Sequence, residues 1–262
     1  MEEKNINKNL ALWTQDFTVT HYFVDPDGGA SIHGLAFFIQ EAAHNHATAR
    51  SLGFEDLIRD NKAWVLTRQV IKVYRPPLIG DKVSVETWVQ DTTSSFSVRD
   101  FHILSPEGEI EVIARTSWMM LDVILRRPVR IPDQVLALIP LTPGRLKEDI
   151  PLDKLPVMPE SGTGSPFHVK YSDLDMNNHV NNITYIRWVT DDFDLDFRKK
   201  HRFSQLEMNY LNEAVFGDQL LSTTVPAGDP SSFLTNIRRV SDQKEIAIAR
   251  TRWKERESGP GS

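Results

Sequence analysis

The sequence predicts an α+β fold built in tandem: two copies of a unit in which one long helix is followed by an antiparallel meander of about four strands that wraps it. Three observations carry this. The chain repeats itself, because Ile113-Ala114-Arg115-Thr116-Ser117-Trp118 returns as Ile248-Ala249-Arg250-Thr251-Arg252-Trp253 at an offset of 135. Each copy opens with an apolar stripe at helical spacing. After each stripe come β-rich runs separated by turn residues.

In the first copy Leu35, Phe38, Ile39, Ala42, Ala43, His46 and Ala49 recur at three-and-four spacing, and Gly53 closes the helix. Residues 64–74, 82–90, 96–104 and 109–122 then read as strands, with Pro106-Glu107-Gly108 as a turn. In the second copy Ile183, Ile186, Val189, Phe193 and Phe197 form the stripe of one helix. It ends in Arg198-Lys199-Lys200, cations that suit a helix C-terminus. Strands are expected at 206–211, 219–226, 233–240 and 246–253. Tyr74 and Gly80-Asp81 return as Tyr210 and Gly217-Asp218 at offsets of 136 and 137. Upstream, Asp25, Asp27, Ile32, Leu35 and Phe38 fall on Asp173, Asp175, Val180, Ile183 and Ile186 at offset 148, so the first copy carries some twelve extra residues. The expected organisation is an N-terminal domain at 1–135, a Pro- and charge-rich linker at 136–166 with a flexible stretch at 161–165, a C-terminal domain at 167–256, and a disordered tail at 257–262.

Composition narrows the chemistry. The 262 residues contain no cysteine, which excludes a Cys nucleophile, disulfides, thiolate zinc sites and iron–sulfur clusters. The richest apolar stretch, 118–125, is far short of the roughly 20 residues that span a bilayer. A net charge of -6 without a Lys/Arg block argues against nucleic-acid binding. The first ten residues show neither a signal nor a transit pattern, so a cytoplasmic location is expected. There is no Gly-x-Ser-x-Gly elbow, phosphate loop, dinucleotide fingerprint or His-Glu-x-x-His helix, and no cofactor or metal is expected. His44 and His46 point to different helix faces, with His46 on the core stripe. Asp191, Asp192, Asp194 and Asp196 read as a solvated helix face.

A repeat is an internal control, since what both copies keep serves the fold and what one copy alone has points to function. The Ala-Arg-Thr-x-Trp segment is kept, so Arg115 and Arg250 read as sheet residues. The paired aspartates are kept too and suit turns. Offset 148 puts Gly29 and Ser31 opposite Asn177 and His179, and Pro76 or Pro77 opposite Glu213. Asn, His and Glu thus occur together only in the second copy. Singly, each Asn reads as a turn or cap residue and Glu213 as a loop charge. Together they supply what hydrolysis of an activated carbonyl needs: a carboxylate to hold water, an imidazole to share its proton and an amide to meet developing charge beside a helix start.

These residues carry a resemblance. Gln40-Glu41-Ala42-Ala43-His44-Asn45-His46-Ala47, Trp64-Val65-Leu66-Thr67-Arg68, Gly80-Asp81, Glu86-Thr87-Trp88-Val89, Arg126-Arg127-Pro128 and above all 171–182, Tyr-Ser-Asp-Leu-Asp-Met-Asn-Asn-His-Val-Asn-Asn, resemble the acyl-acyl carrier protein (acyl-ACP) thioesterase family along nearly the whole chain. The resemblance implies a double hot-dog fold and release of free fatty acid from acyl carrier protein. It implies Asp175, Asn177, His179 and Glu213 as catalytic residues, adding Asp175 as the group that orients the site. Plant members carry a Cys after the sheet glutamate where this chain has Ala214, so a papain-like route is absent. The chain begins near its first strand, as a bacterial member does.

On this reading Glu213, assisted by His179, activates water, and direct carboxylate attack through an anhydride is left open. Asn177 and the helix-start N–H groups polarise the carbonyl. The resemblance places the acyl chain against the first helix, making Phe38, Ala42 and Trp64 candidates for setting chain length. The family's acidic carrier needs a local basic patch on a chain that is itself acidic, with Arg126, Arg127 and Arg130 as candidates. A monomer or homodimer is expected. An acyl-CoA thioesterase, a hydratase on the same fold and a non-catalytic acyl-thioester binder are the alternatives.

Overall fold

The computed structural model describes residues 11–156, 164 and 166–256. The flexible linker stretch at 161–165, apart from Gly164, and the tail at 257–262 lie outside the described residues. The chain divides into two compact units, one of residues 1–67 and 74–151, the other of 68–73 and 152–262. Each is an antiparallel sheet with a helix packed on it, the double hot-dog organisation.

The first unit contains β1 (Trp13–Thr18), α1 (Ile32–Ala49), the short α2 (Phe54–Leu57), the first half of β2 (Lys62–Val73), whose residues 68–73 belong to the second unit, β3 (Lys82–Thr92), β4 (Phe96–Leu104), β5 (Ile110–Asp122), β6 (Arg127–Val129) and the short α3 (Asp133–Leu136). Its strands run β1-β3-β4-β5, with β6 paired to β5. The helix stripe is real: Leu35, Phe38, Ile39, Ala42, Ala43 and His46 are all buried. Phe38 stacks on Phe17 of β1 at 4.7 Å, and His46 stacks under Trp13 at 5.9 Å, which fixes α1 across the sheet. Removing these side chains from water is the main stabilising term, about 25 cal/mol per Å² of apolar surface.

The second unit contains β7 (Pro166–His168), α4 (Asn182–Asp191), α5 (Leu195–Lys200), β8 (His201–Tyr210), β9 (Gln219–Ala227), β10 (Asp229–Arg239) and β11 (Glu245–Glu255). The last residues of β2 pair with β8, and the order continues β8-β11-β10-β9-β7. The single helix expected over 183–200 is broken in two. Asp194 caps α5 by accepting the Phe197 N–H at 2.7 Å, and Asp192 accepts the hydroxyls of Ser222 and Thr224 at 2.6 Å each. Asp194 starts the second helix as Asp does when a backbone N–H is in reach, while Asp192, at the end of the first helix, is tied by its carboxylate to β9. β8 begins at His201, five residues before the expected start.

The repeated Ala-Arg-Thr-x-Trp segment is a sheet device. In each copy the Trp indole donates to the Thr hydroxyl two residues earlier, at 2.8 Å for Trp118 and 3.2 Å for Trp253. Arg115 holds buried Asp100 at 2.7 Å, and Arg250 holds Glu207 at 3.0 Å. The first half of the expected linker is an ordered strap. Thr142 bonds β3 at Val89, Arg145 pairs with Glu86 at 2.9 Å, and Asp149 pairs with Arg115 at 2.6 Å. Beyond it, Leu155 donates to the Asn209 side chain at 3.0 Å in the second unit and packs on Leu234 and Ile248.

Candidate active site

The loop that leads into α4 is built by its own hydrogen bonds. Asp175 N–H donates to the His179 carbonyl at 2.8 Å, and Asn178 N–H to the Asp175 carbonyl at 3.1 Å. Asn178 sits in the left-handed region at φ 60, which Asn tolerates better than most residues. One oxygen of the Asp175 carboxylate accepts the N–H groups of Asn177 at 2.8 Å and His179 at 3.4 Å. Asp175 is therefore occupied in shaping the turn that carries the other two residues. Asn181 closes the loop by capping α4, accepting the Ile183 N–H at 2.9 Å.

Glu213 arrives from the other direction, three residues past β8. Val180 N–H donates to the Ala214 carbonyl at 2.9 Å, and His179 and Val215 form an isolated antiparallel bridge. These backbone contacts bring His179 Nε2 to 3.4 Å from Glu213 Oε2, with both side chains partly open to solvent at 28% and 39%. The contact is long for a hydrogen bond but short enough for a proton to be shared through small adjustments or one water. The Asn177 side chain is exposed and makes no hydrogen bond within the described residues. The structure thus joins His179 to Glu213, ties Asp175 to the backbone of Asn177 and His179, and leaves the Asn177 amide facing water.

Two residues that sequence reasoning missed hold the glutamate. The peptide joining Glu213 to Ala214 is gripped at both ends: Arg239 Nη2 donates to the Glu213 carbonyl, and the Tyr185 hydroxyl accepts the Ala214 N–H at 3.2 Å. Arg239 Nε also lies 3.0 Å from Asp218 in an ion pair outside hydrogen-bond geometry. Burial, and then the charge of Glu213, raises the Tyr185 pKa well beyond the ordinary phenol value, so this hydroxyl stays neutral.

The first copy builds the same turn at a register two residues from the expected one. Asp25 N–H to Gly29 carbonyl matches Asp175 to His179, Gly28 at φ 82 matches Asn178, and the cap Ser31 matches Asn181, all at offset 150. Ala30 to Pro77 matches Val180 to Ala214 at offset 137 on the sheet side. The expected partners of Asn177 and His179, Gly29 and Ser31, are thus corrected to Asp27 and Gly29, and Glu213 stands opposite Pro76. The reason is that backbone hydrogen bonds, not the shared Asp-x-Asp letters, define the turn. At Gly29 an added Cβ meets Pro76 at 3.4 Å, so the first copy fills with a proline ring the place where the second sets His against Glu. With the corrected register Tyr185 falls opposite Leu35, and this asymmetry would have exposed it.

The other sequence candidates lie in the first unit. Phe38 and Ala42 are buried on one face of α1, and Trp64 packs against two apolar clusters, one around Leu52, Val89 and Ile139 and one around Leu57, Met120 and Ile131. Arg126, Arg127 and Arg130 are exposed at the β5–β6 hairpin, whose turn is held by Asp122 accepting the N–H groups of Ile124 and Leu125. Arg130 pairs with Asp133 at 3.5 Å, which offsets its charge, and the side chains of Ile124 and Leu125 are exposed beside the basic groups. Among the described residues no group of acidic and histidine side chains is arranged to hold a metal, and no helix is long and apolar enough to cross a membrane.

Comparison with known proteins bears on the whole chain. Residues 11–139 match the family model of the acyl-ACP thioesterase N-terminal domain, and residues 158–255 that of the C-terminal domain. A palmitoyl-acyl carrier protein thioesterase of Gossypium hirsutum, chloroplastic, is 31% identical over 93% of this chain and 64% of its own length. The chain thus spans less than two thirds of that relative. An oleoyl-acyl carrier protein thioesterase of Arabidopsis thaliana is 29% identical over 94% of this chain and 77% of its own. The crystal structure of an acyl-ACP thioesterase from Bacteroides thetaiotaomicron superposes with a TM-score of 0.84 at 26% identity, covering 93% of this chain and 98% of that one. The 12:0-ACP thioesterase of Umbellularia californica gives 0.83 at 26% identity, covering 94% and 98%.

Proposed function

The chain belongs to the acyl-ACP thioesterase family, and from that premise we propose that it hydrolyses the thioester between a fatty acyl group and acyl carrier protein, releasing free fatty acid and the carrier's thiol. The observation that carries the reading is the 3.4 Å contact of His179 with Glu213, made in one copy of the repeat and replaced by Gly29 and Pro76 in the other.

A water held by Glu213 loses a proton to the carboxylate, with His179 as the adjacent proton carrier, while its oxygen attacks the carbonyl carbon. Electron density moves onto the carbonyl oxygen, where the Asn177 amide and the N–H groups at the start of α4 meet it. When the carbonyl re-forms, the C–S bond breaks and the thiol, with a pKa of about 8.5, leaves as thiolate without a strong acid. His179 returns the proton to it. Asp175 contributes by holding the backbone of Asn177 and His179.

We assign the acyl chain to the first unit, with Phe38, Ala42 and Trp64 as candidate chain-length determinants, and carrier docking to the hairpin bearing Arg126, Arg127 and Arg130. A thiol-release assay across acyl lengths tests the reading. Glu213→Gln is expected to abolish turnover, and near-normal turnover by that variant in a folded protein overturns the assignment. Charge reversal at Arg126 and Arg127 is expected to raise KM for carrier-linked substrate alone. Equal kcat/KM on carrier-linked and coenzyme-A-linked chains would instead favour the acyl-CoA reading.

A further inference from the structure

One arginine of the second unit acts on the backbone of Glu213. Arg239, the last residue of β10, reaches 26 residues back along the chain, where its Nη2 donates to the Glu213 carbonyl. The rest of its fork faces acids: Nη1 donates to Asp242 at 3.3 Å, and Nε lies 3.0 Å from Asp218 Oδ2. The side chains of Arg239 and Asp218 are each only 18% exposed. With its charge offset on those two sides, the guanidinium grips the Glu213 peptide while the Glu213 carboxylate faces His179 at 3.4 Å.

The repeat shows whether the fold needs this arginine. Ile237 of β10 lies opposite Ser222 of β9 as Ile103 of β4 lies opposite Val85 of β3, and each strand shifts register against its other neighbour just after that isoleucine. Arg239 therefore stands where the first unit has Ser105. That serine serves its own turn: its hydroxyl donates to the Glu107 carboxylate at 2.8 Å and accepts the Glu107 and Glu109 N–H groups. The connection between the preceding strands is nevertheless built alike in both units. Leu78 N–H donates to Asp81 Oδ2 at 2.8 Å as Val215 N–H donates to Asp218 Oδ2 at 3.0 Å, and each aspartate N–H returns to the carbonyl of that partner. The first unit thus closes this connection without an arginine. Holding a guanidinium mostly out of water is costly, and the second unit does so in the copy that sets His179 against Glu213.

We infer that Arg239 is a positioning residue of the proposed hydrolysis, with Asp218 and Asp242 orienting its guanidinium. It fixes the Glu213 carbonyl and, through the main chain, aims the carboxylate at His179 and the attacking water. This role rests on the reading of Glu213 as the water-activating group. Arg239 acts through Glu213 and not on the substrate, so its loss falls on kcat and not on KM.

Arg239→Ala in the full chain, assayed for thiol release from acyl-acyl carrier protein, tests it. A shift of about 1 Å at a reacting group costs on the order of 100-fold in rate, so kcat is expected to fall by about 10- to 100-fold with KM unchanged. Guanidinium ion, at concentrations too low to denature, is expected to restore part of that rate, whereas sodium chloride at equal ionic strength restores none and the wild type does not respond. Full kcat in Arg239→Ala overturns the proposal, as does a lost rate that guanidinium does not restore. Should Arg239→Ala fail to fold, Arg239→Lys decides, because it keeps the charge without the fork: a fall in kcat at wild-type KM supports the role, and an unchanged kcat refutes it. Glu213→Gln separates the two levels. Its normal turnover overturns the reading of the reaction itself, whereas an inactive Glu213→Gln beside a fully active Arg239→Ala overturns the role of Arg239 alone.

Discussion

The hydroxyl of Tyr185 does one definable thing, so its removal is a sharp test of how Glu213 is held. Tyr185→Phe keeps the ring and its edge contacts with Trp188 at 5.3 Å and Tyr210 at 5.9 Å. It deletes the acceptor of the Ala214 N–H. Ala214 is fully buried, so water does not replace the lost partner. An orphaned buried N–H costs about 1–3 kcal/mol, which for a chain of this size lowers Tm by about 2–4 °C per kcal/mol. The same peptide carries Glu213, and a shift of about 1 Å in a reacting group costs on the order of 100-fold in rate. We expect kcat/KM for thiol release to fall by about 10- to 100-fold, with the pH profile unmoved because the phenol does not titrate in the working range. Calorimetry and the thiol assay on one preparation read both effects. Unchanged stability would refute the hydrogen bond, and a lower Tm with full activity would mean that the clamp serves the fold alone.

Asn178 adopts φ 60 where the first copy uses Gly28. Asn178→Gly is therefore expected to leave turnover near normal, whereas Asn178→Val should destabilise by about 1–2 kcal/mol and reduce activity by moving Asn177 and His179. A Val variant as stable as wild type in urea would contradict this. His102 is buried between Glu86 and Trp88, and burial lowers its pKa against the opposing pull of Glu86. The unfolded chain takes up a proton here below pH 6.5 while the folded chain stays neutral, so this group's contribution to stability is lost as pH falls from 6.5 toward the lowered value. The slope is at most about 1.4 kcal/mol per pH unit. Urea midpoints at about pH 7.5 and about pH 5.5 should differ less in His102→Gln than in wild type, and an unchanged difference would count against the mechanism.

What was legible in the sequence was what local patterning encodes. The α1 stripe buries from Leu35 to His46 as its spacing says, with Ala49 exposed at the helix end, β4 runs over Phe96–Leu104 where a β-rich run predicts it, and Thr-x-Trp recurs because one residue pair makes the same bond twice. The Asn, His and Glu candidates were legible as an asymmetry between copies. The register of that asymmetry was not, because identical letters at Asp25-x-Asp27 and Asp173-x-Asp175 occupy different backbone roles. The break before α5 depends on Asp194 finding the Phe197 N–H, and Asp192 is held by hydroxyls on β9, partners some thirty residues away.

By itself, then, the sequence determined the tandem α+β plan, the family and the loop residues that distinguish the second copy, since each is written in neighbouring residues or in a repeat. Only the tertiary structure decided that His179 meets Glu213, that Tyr185 and Arg239 hold the glutamate's peptide, and that Arg99 of β4 bonds His46 of α1. Those juxtapositions join segments far apart in the chain, and their geometry is set by strand register and helix placement, which no local pattern contains.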